Sequence, residues 1–218
     1  MKSTPSTIIF DYGGVLGLPL DPLREAEMME LAGLPPERFF DVYRKDRIEL
    51  DRGTLPADEY WSRILAAGGV TPTPALLARI ERVDALGWSR VNRPVVQWSY
   101  ELRDAGFRTA ILSNMPFEKL TFMRSDGQFR WIDDFDVTVF SCDHRLVKPE
   151  PSIYRLCLEK LGARPDECLF LDDVPENVEG ALAVGVAALL FTTVEEMRGV
   201  LESDWGLPVR RLRDGGKE

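Results

Sequence analysis

Four short segments of this 218-residue chain join an apolar run to residues suited to phosphate chemistry. Ile8-Ile9-Phe10 runs into Asp11, Ala110-Ile111-Leu112 into Ser113-Asn114, and Leu169-Phe170-Leu171 into Asp172-Asp173, while Val147 precedes Lys148-Pro149. An aspartate at a strand's end can attack phosphorus and form an aspartyl-phosphate. A hydroxyl and a backbone N–H there can hold phosphate oxygens, and an ammonium is a point-charge partner for phosphate. Two adjacent acids closing a buried strand repel each other unless a cation is present, and hard oxygen donors of this kind suit Mg²⁺. Each segment alone also has a plainer reading. Asp11 ahead of Gly13-Gly14 is a turn former, Ser113-Asn114 a turn, Lys148 a solvated charge, and Asp172-Asp173 an N-cap pair for a helix opening near Pro175.

Parallel strands of an open α/β sheet deliver their final residues to one edge, where ligands bind. Strands are expected at 7–12, 108–113, 136–142, 168–171 and 187–192. Each run is short and apolar without polar alternation, the pattern of strands covered on both faces. Helices are expected at 93–105, 151–161 and 175–184, each followed by a glycine (Gly106, Gly162, Gly185) placed to end it. Strand, helix, glycine and strand in this repetition imply right-handed βαβ crossovers and an α/β parallel sheet flanked by helices. The interval after Asp11 breaks the rhythm. It shows helical stretches at 22–32, 36–46, 57–67 and 74–84, with breaks at Gly33-Leu34-Pro35, Arg52-Gly53-Thr54 and Gly68-Gly69. A structureless loop of that length is out of place in a compact domain. Residues 18–86 therefore read as a helical insert standing over the sheet edge, with 1–17 and 87–218 as the core; the alternative is a helical layer of the same domain. The charged end, 210–218, reads as frayed.

The formal net charge of −9 supplies no basic surplus to displace counterions, which argues against a nucleic-acid partner. A small phosphate ligand needs only one local cation. No apolar run approaches a membrane span, and no signal-type apolar region follows residues 1–6. Cys142, Cys157 and Cys168 form no CxxC pair and read as buried, reduced thiols of a cytoplasmic protein. His144, the single histidine, reads as a surface-loop residue. Trp61, Trp88, Trp98, Trp131 and Trp205 share no spacing and read as core or interface filler.

Taken in order, the segments resemble the four motifs of the haloacid dehalogenase-like hydrolase superfamily. Phe-Asp-Tyr-Gly-Gly-Val-Leu (10–16), Leu-Ser-Asn (112–114), Val-Lys-Pro-Glu-Pro-Ser-Ile-Tyr (147–154) and Leu-Asp-Asp-Val-Pro-Glu-Asn-Val-Glu-Gly-Ala (171–181) with Gly185 carry the likeness, over nearly the whole chain. It implies a Rossmann-like core, a helical cap inserted after the first motif, Mg²⁺ as cofactor and a small phosphorylated metabolite as substrate. It casts Asp11 as nucleophile and metal ligand. Gly13, through its carbonyl, and Asp172 become further ligands, and Asp173 a weaker or indirect one. Ser113 and the Asn114 backbone N–H would hold the transferring group, Lys148 would neutralise charge, and Asn177 would orient the acid pair or Lys148.

One departure stands out. Phosphatases of this family usually carry a second aspartate two residues after the nucleophile, where this chain has Gly13. Losing a general acid–base typically costs ~10²–10⁴-fold in rate. The expectation is a slower enzyme, one assisted by its substrate, or one borrowing a cap group. Tyr43, Arg44, Asp46 and Arg47 are the candidates, and each also reads as a solvated position on an amphipathic helix. The leading reading is a Mg²⁺-dependent phosphatase of a small phosphomonoester such as a sugar phosphate. The alternatives are a metal-independent 2-haloacid dehalogenase, whose relatives generally lack the paired acids, and a phosphate-binding regulatory protein on the same scaffold.

Overall fold

The computed structural model describes residues 4–209; the expected fraying at 210–218 lies outside them. Strand β1 (Thr7–Phe10) is buried at every position, as an unalternating apolar run requires. The chain then turns through Tyr12–Leu16 into five helices: α1 (Pro22–Ala32), α2 (Pro36–Lys45), α3 (Arg47–Arg52), α4 (Ala57–Ala67) and α5 (Pro74–Gly87). Four of these begin on proline or just after it, where the missing N–H removes no helical bond. Helix α6 (Arg93–Asp104), β2 (Arg108–Ser113), α7 (Phe117–Ser125), a 3₁₀ stretch at Gly127–Asp134 and β3 (Val137–Phe140) follow. The rest is α8 (Ser141–His144), α9 (Pro151–Leu161), a short 3₁₀ turn at Pro165–Glu167, β4 (Cys168–Asp172), α10 (Pro175–Ala183), β5 (Ala187–Leu190) and α11 (Val194–Ser203).

The five strands are all parallel, in the order β3-β2-β1-β4-β5. Phe10 lies abreast of Ile111 on one side and Leu171 on the other. Asp11, just past the central strand β1, and Asp172, the last residue of its neighbour β4, therefore lie side by side at the carboxyl edge of the sheet. Successive strand residues face opposite sides. Ile8, Phe10, Leu169 and Leu171 pack with α6, α7 and α11. Ile9, Ala110, Leu112 and Phe170 pack with α9 and α10. Helices α1–α5 share a separate apolar cluster built around Phe39, Tyr60, Trp61 and Ile64.

Several boundaries differ from the expectations. Helix α2 ends at Lys45, and Asp46 separates it from α3, which the pattern around Arg52-Gly53-Thr54 had shown only as a break. Helix α5 runs to Gly87, past the expected end at 84. Helix α7 escapes the apolar periodicity because its buried face carries Lys119 beside Leu120 and Met123. His144 is no loop residue: it closes α8. The three cysteines are free and buried. No helix among the described residues is long and apolar enough to cross a membrane.

Candidate active site

At the sheet edge the Lys148 ammonium lies 2.8 Å from Asp11 Oδ1 and 2.6 Å from Asp172 Oδ2. Lys148 is only 1% exposed, so this pair of contacts is what keeps a charged group tolerable in the interior. Burial opposes the ammonium, but the two aspartates outweigh it and hold Lys148 above the usual lysine range. Burial pushes the Asp11 carboxyl up to about 6; Lys148 opposes this, and Asp172 and Asp173 add to it. Asp172 is held from three directions. Lys148 donates to it, the Val174 N–H donates to Oδ1 at 2.9 Å, and Asn177 Nδ2 lies 3.0 and 3.1 Å from its two oxygens. Asn177 sits in the first turn of α10, and its own carbonyl accepts the Tyr154 hydroxyl at 2.8 Å.

Asp11, Asp172 and Asp173 each bring one carboxylate oxygen within 4.8 Å of the others. Three acids there face one directly paired cation, Lys148. Excess negative charge on hard oxygen donors is the donor set that suits Mg²⁺ or a similar divalent ion. The Asp173 carboxylate packs against Gly14, whose φ is +71°; a Cβ at Gly14 would lie 2.0 Å from Asp173 Oδ2. Glycine at 14 is thus required twice, by backbone conformation and by close approach.

Asp11, Lys148, Asp173 and Asn177 line a cavity of about 440 Å³ together with Gly13, Ser113, Asn114, Pro149 and Val174, while Asp172 lies behind them, fully buried. Ser113 is buried, and the Asn114 amide is engaged with the Lys148 backbone: Nδ2 donates to its carbonyl at 3.0 Å and Oδ1 accepts its N–H at 2.8 Å. The Lys148-Pro149 bond is cis. Of the four candidates from the helical segment, Tyr43 and Arg47 reach the cavity. Arg44 is exposed over the Phe40 ring, and Asp46 accepts from Arg63 at 2.7 Å. Arg47 is tied to Asp51 at 3.0 Å, to Asp84 at 3.1 Å and to the Tyr43 hydroxyl at 2.6 Å. Tyr43 in turn donates to Asp84 at 2.7 Å, and burial holds its phenol well above the ordinary range. His144 does not line the cavity.

Four residues that the motifs do not mark also belong to this region. Trp88 lines the cavity rather than filling the core, and Lys119 lies over both the Trp88 and Tyr12 rings. Arg52 makes a two-pronged contact with Glu150, at 2.9 and 2.8 Å, linking α3 to the residue after Pro149. The Ser141 hydroxyl accepts the Met115 N–H and donates to the Asp51 carbonyl. Only Glu150, inside the third motif, had a sequence signal nearby.

A parallel sheet flanked by helices, with a carboxylate, an ammonium and an acid pair at its carboxyl edge, is a Rossmann-like α/β fold with its polar site at the strand ends. The chain belongs to the haloacid dehalogenase-like hydrolases, whose family model matches residues 5–185. Bifunctional epoxide hydrolase 2 of Sus scrofa is 32% identical over 213 residues, covering 91% of this chain and 38% of that protein. The chain thus spans little more than a third of that relative's length. Phosphatase MT3486 of Mycobacterium tuberculosis is 28% identical over 198 residues, 85% of this chain and 86% of its own. Among solved structures, the HAD family enzyme BT-2542 of Bacteroides thetaiotaomicron, in complex with magnesium and inorganic phosphate, superposes with a TM-score of 0.69 at 22% identity, over 85% of this chain and 93% of that one.

Proposed function

We propose that this hydrolase is a Mg²⁺-dependent phosphatase of small phosphomonoesters, acting through an aspartyl-phosphate on Asp11. The observation that carries the reading is the Lys148 ammonium held between Asp11 and Asp172, with Asp173 completing a three-carboxylate cluster, at the mouth of a ligand-sized cavity. Asp11, Asp172, Asp173 and the Gly13 carbonyl would hold the ion. Once bound, it would supply positive charge to the phosphoryl oxygens.

The chain's own groups do the rest. Asp11 attacks phosphorus from the sheet edge. Lys148 neutralises Asp11 and the charge that develops on the transferring group. Ser113 and the Asn114 N–H bind the non-bridging oxygens, and the Asn114 side chain keeps the Lys148 backbone in register. Asn177 fixes Asp172. Helices α1–α5 act as the cap that screens the cleft and selects the substrate, with Tyr43 and Arg47 as its inward face. A cavity of about 440 Å³ suits a small metabolite such as a sugar phosphate, and three buried free thiols suit a cytoplasmic setting.

Halide displacement from carbon by the same aspartate gives no reason for three clustered carboxylates, so the dehalogenase reading is the weaker one. A panel of phosphomonoesters with and without Mg²⁺ tests the proposal. Phosphate release that EDTA stops and Asp11→Asn removes is expected. Halide release from a 2-haloacid in EDTA, with no phosphate release from any ester, would reverse the assignment.

A further inference from the structure

Expelling an alkoxide from phosphorus requires a proton at the leaving oxygen, and Gly13, beside the nucleophile, has no side chain to give one. A Cβ there would lie 3.6 Å from the Trp88 ring, so the space next to Gly13 is bounded by that indole. Lys119 projects from α7 into the same corner, its Nζ 5.0 Å from the Trp88 ring centroid and 4.6 Å from that of Tyr12. It lines the cavity with Asp11, is only 5% exposed, and makes no ion pair with a carboxylate among the described residues. Two aromatic faces compensate a buried ammonium only in part. Arg47 and Asp51 face it from α3, Asp84 from α5, and Asp11 from the sheet edge. Burial and Arg47 outweigh those three acids and bring Lys119 down to about 8, a value suited to proton transfer near neutrality.

Of the other ionisable groups lining the cavity, Lys148 bridges two aspartates, Asp173 belongs to the carboxylate cluster, Arg47 does not release its proton, Asp51 is paired with Arg47, the Tyr43 hydroxyl donates to Asp84, and Glu176 is exposed to solvent. We propose that Lys119 is a catalytic residue that contacts the leaving oxygen of the ester and carries its proton in both half-reactions. As Asp11 attacks phosphorus, the bond to the leaving oxygen breaks with its electron pair on oxygen. That oxygen takes a proton from the Lys119 ammonium and departs as the alcohol. The neutral amine then takes a proton from the water that attacks the aspartyl-phosphate. The bond between phosphorus and Asp11 breaks, its electrons return to the carboxylate, inorganic phosphate is released, and the Lys119 ammonium is regenerated.

This assignment rests on the phosphatase reading, and the test separates the two. Steady-state kinetics of the full chain with Mg²⁺ are measured on phosphomonoesters running from alkyl to p-nitrophenyl, for wild type, Lys119→Met, Lys119→Gln and Lys119→Arg, with folding checked by thermal melting. The expected result is a loss of ~10²–10⁴-fold on alkyl esters but less than about tenfold on p-nitrophenyl phosphate, whose leaving group needs no proton. The alkaline limb of kcat/KM near pH 8 should vanish with it, and Lys119→Arg should not restore alkyl-ester turnover. Equal losses across the series in the folded variants, no loss, or full rescue by Lys119→Arg would overturn the proton role and leave the phosphatase standing. A wild type inert to every ester would remove the phosphatase reading, and this assignment with it.

Discussion

The Lys148 ammonium stands 2.6 Å from the Asp172 carboxylate, and neither side chain is more than 1% exposed. The same ammonium reaches Asp11 at 2.8 Å. Two strand ends in parallel register and a residue 24 positions before the second acid thus form one buried charge cluster. Removing the single cation of this cluster strands the charge of both acids. Lys148→Met is expected to destabilise the fold by ~3–5 kcal/mol as well as abolish turnover. Adding Asp172→Asn to that variant should recover part of the stability and none of the activity. Urea unfolding of the two variants checks this, and a single variant as stable as wild type would contradict it.

Asn177 acts on the cluster from the opposite side. Its amide nitrogen lies 3.0 and 3.1 Å from the two Asp172 oxygens. Groups that orient ligands in this way typically contribute ~10–100-fold to metal affinity. Asn177→Ala should weaken the apparent Mg²⁺ affinity by that factor, read from the Mg²⁺ dependence of turnover and from Mg²⁺-induced thermal shifts.

The acid limb belongs to Asp11. Its carboxyl is raised from 3.8 to about 6, so between those values the folded state binds more protons than the unfolded one. Charged Asp11 therefore destabilises the ion-free fold at neutral pH, and that penalty is relieved as pH falls through 6 toward 3.8. Asp11→Asn should melt above wild type at neutral pH in EDTA, with the gap closing across that window. Protons should also compete with Mg²⁺ for the site below about pH 6.

Lys119 shifts the opposite way and gives the opposite slope. Its value falls from 10.5 to about 8, so from pH 8 to 10.5 the unfolded state binds more protons and stability rises with pH. Lys119→Met should therefore be the more stable protein at pH 7, by up to about 3 kcal/mol, an advantage that shrinks steadily toward pH 10.5. Denaturant unfolding at three pH values distinguishes this from a uniform packing effect.

Gly14 adopts φ +71° with the Asp173 carboxylate against its α-carbon. Gly14→Ala should cost more than about 1 kcal/mol, because alanine resists that backbone conformation. It should also displace Asp173 and weaken the Mg²⁺ response. Unaltered melting and Mg²⁺ titration would show that the loop yields at no cost.

The amino-acid sequence alone determined the parallel sheet and the convergence of Asp11, Ser113, Lys148 and Asp172. Unalternating apolar runs, and the turns that end them, are local signals, and parallel strands carry their last residues to one edge wherever such runs occur. The α2–α3 boundary, the three-residue extension of α5 and the helix carrying Lys119 were not legible. Short helices and a lysine on an inward face leave little periodic trace. Tertiary structure alone decided which charges are buried. Arg44 and Arg47 look alike in the sequence, yet one is exposed over the Phe40 ring and the other is locked to Asp84, 37 positions away. Lys119 and Trp88 likewise acquire their place only when α7 and the end of α5 close on the loop after β1. Burial depends on what packs above a residue, and no neighbour in the chain records it.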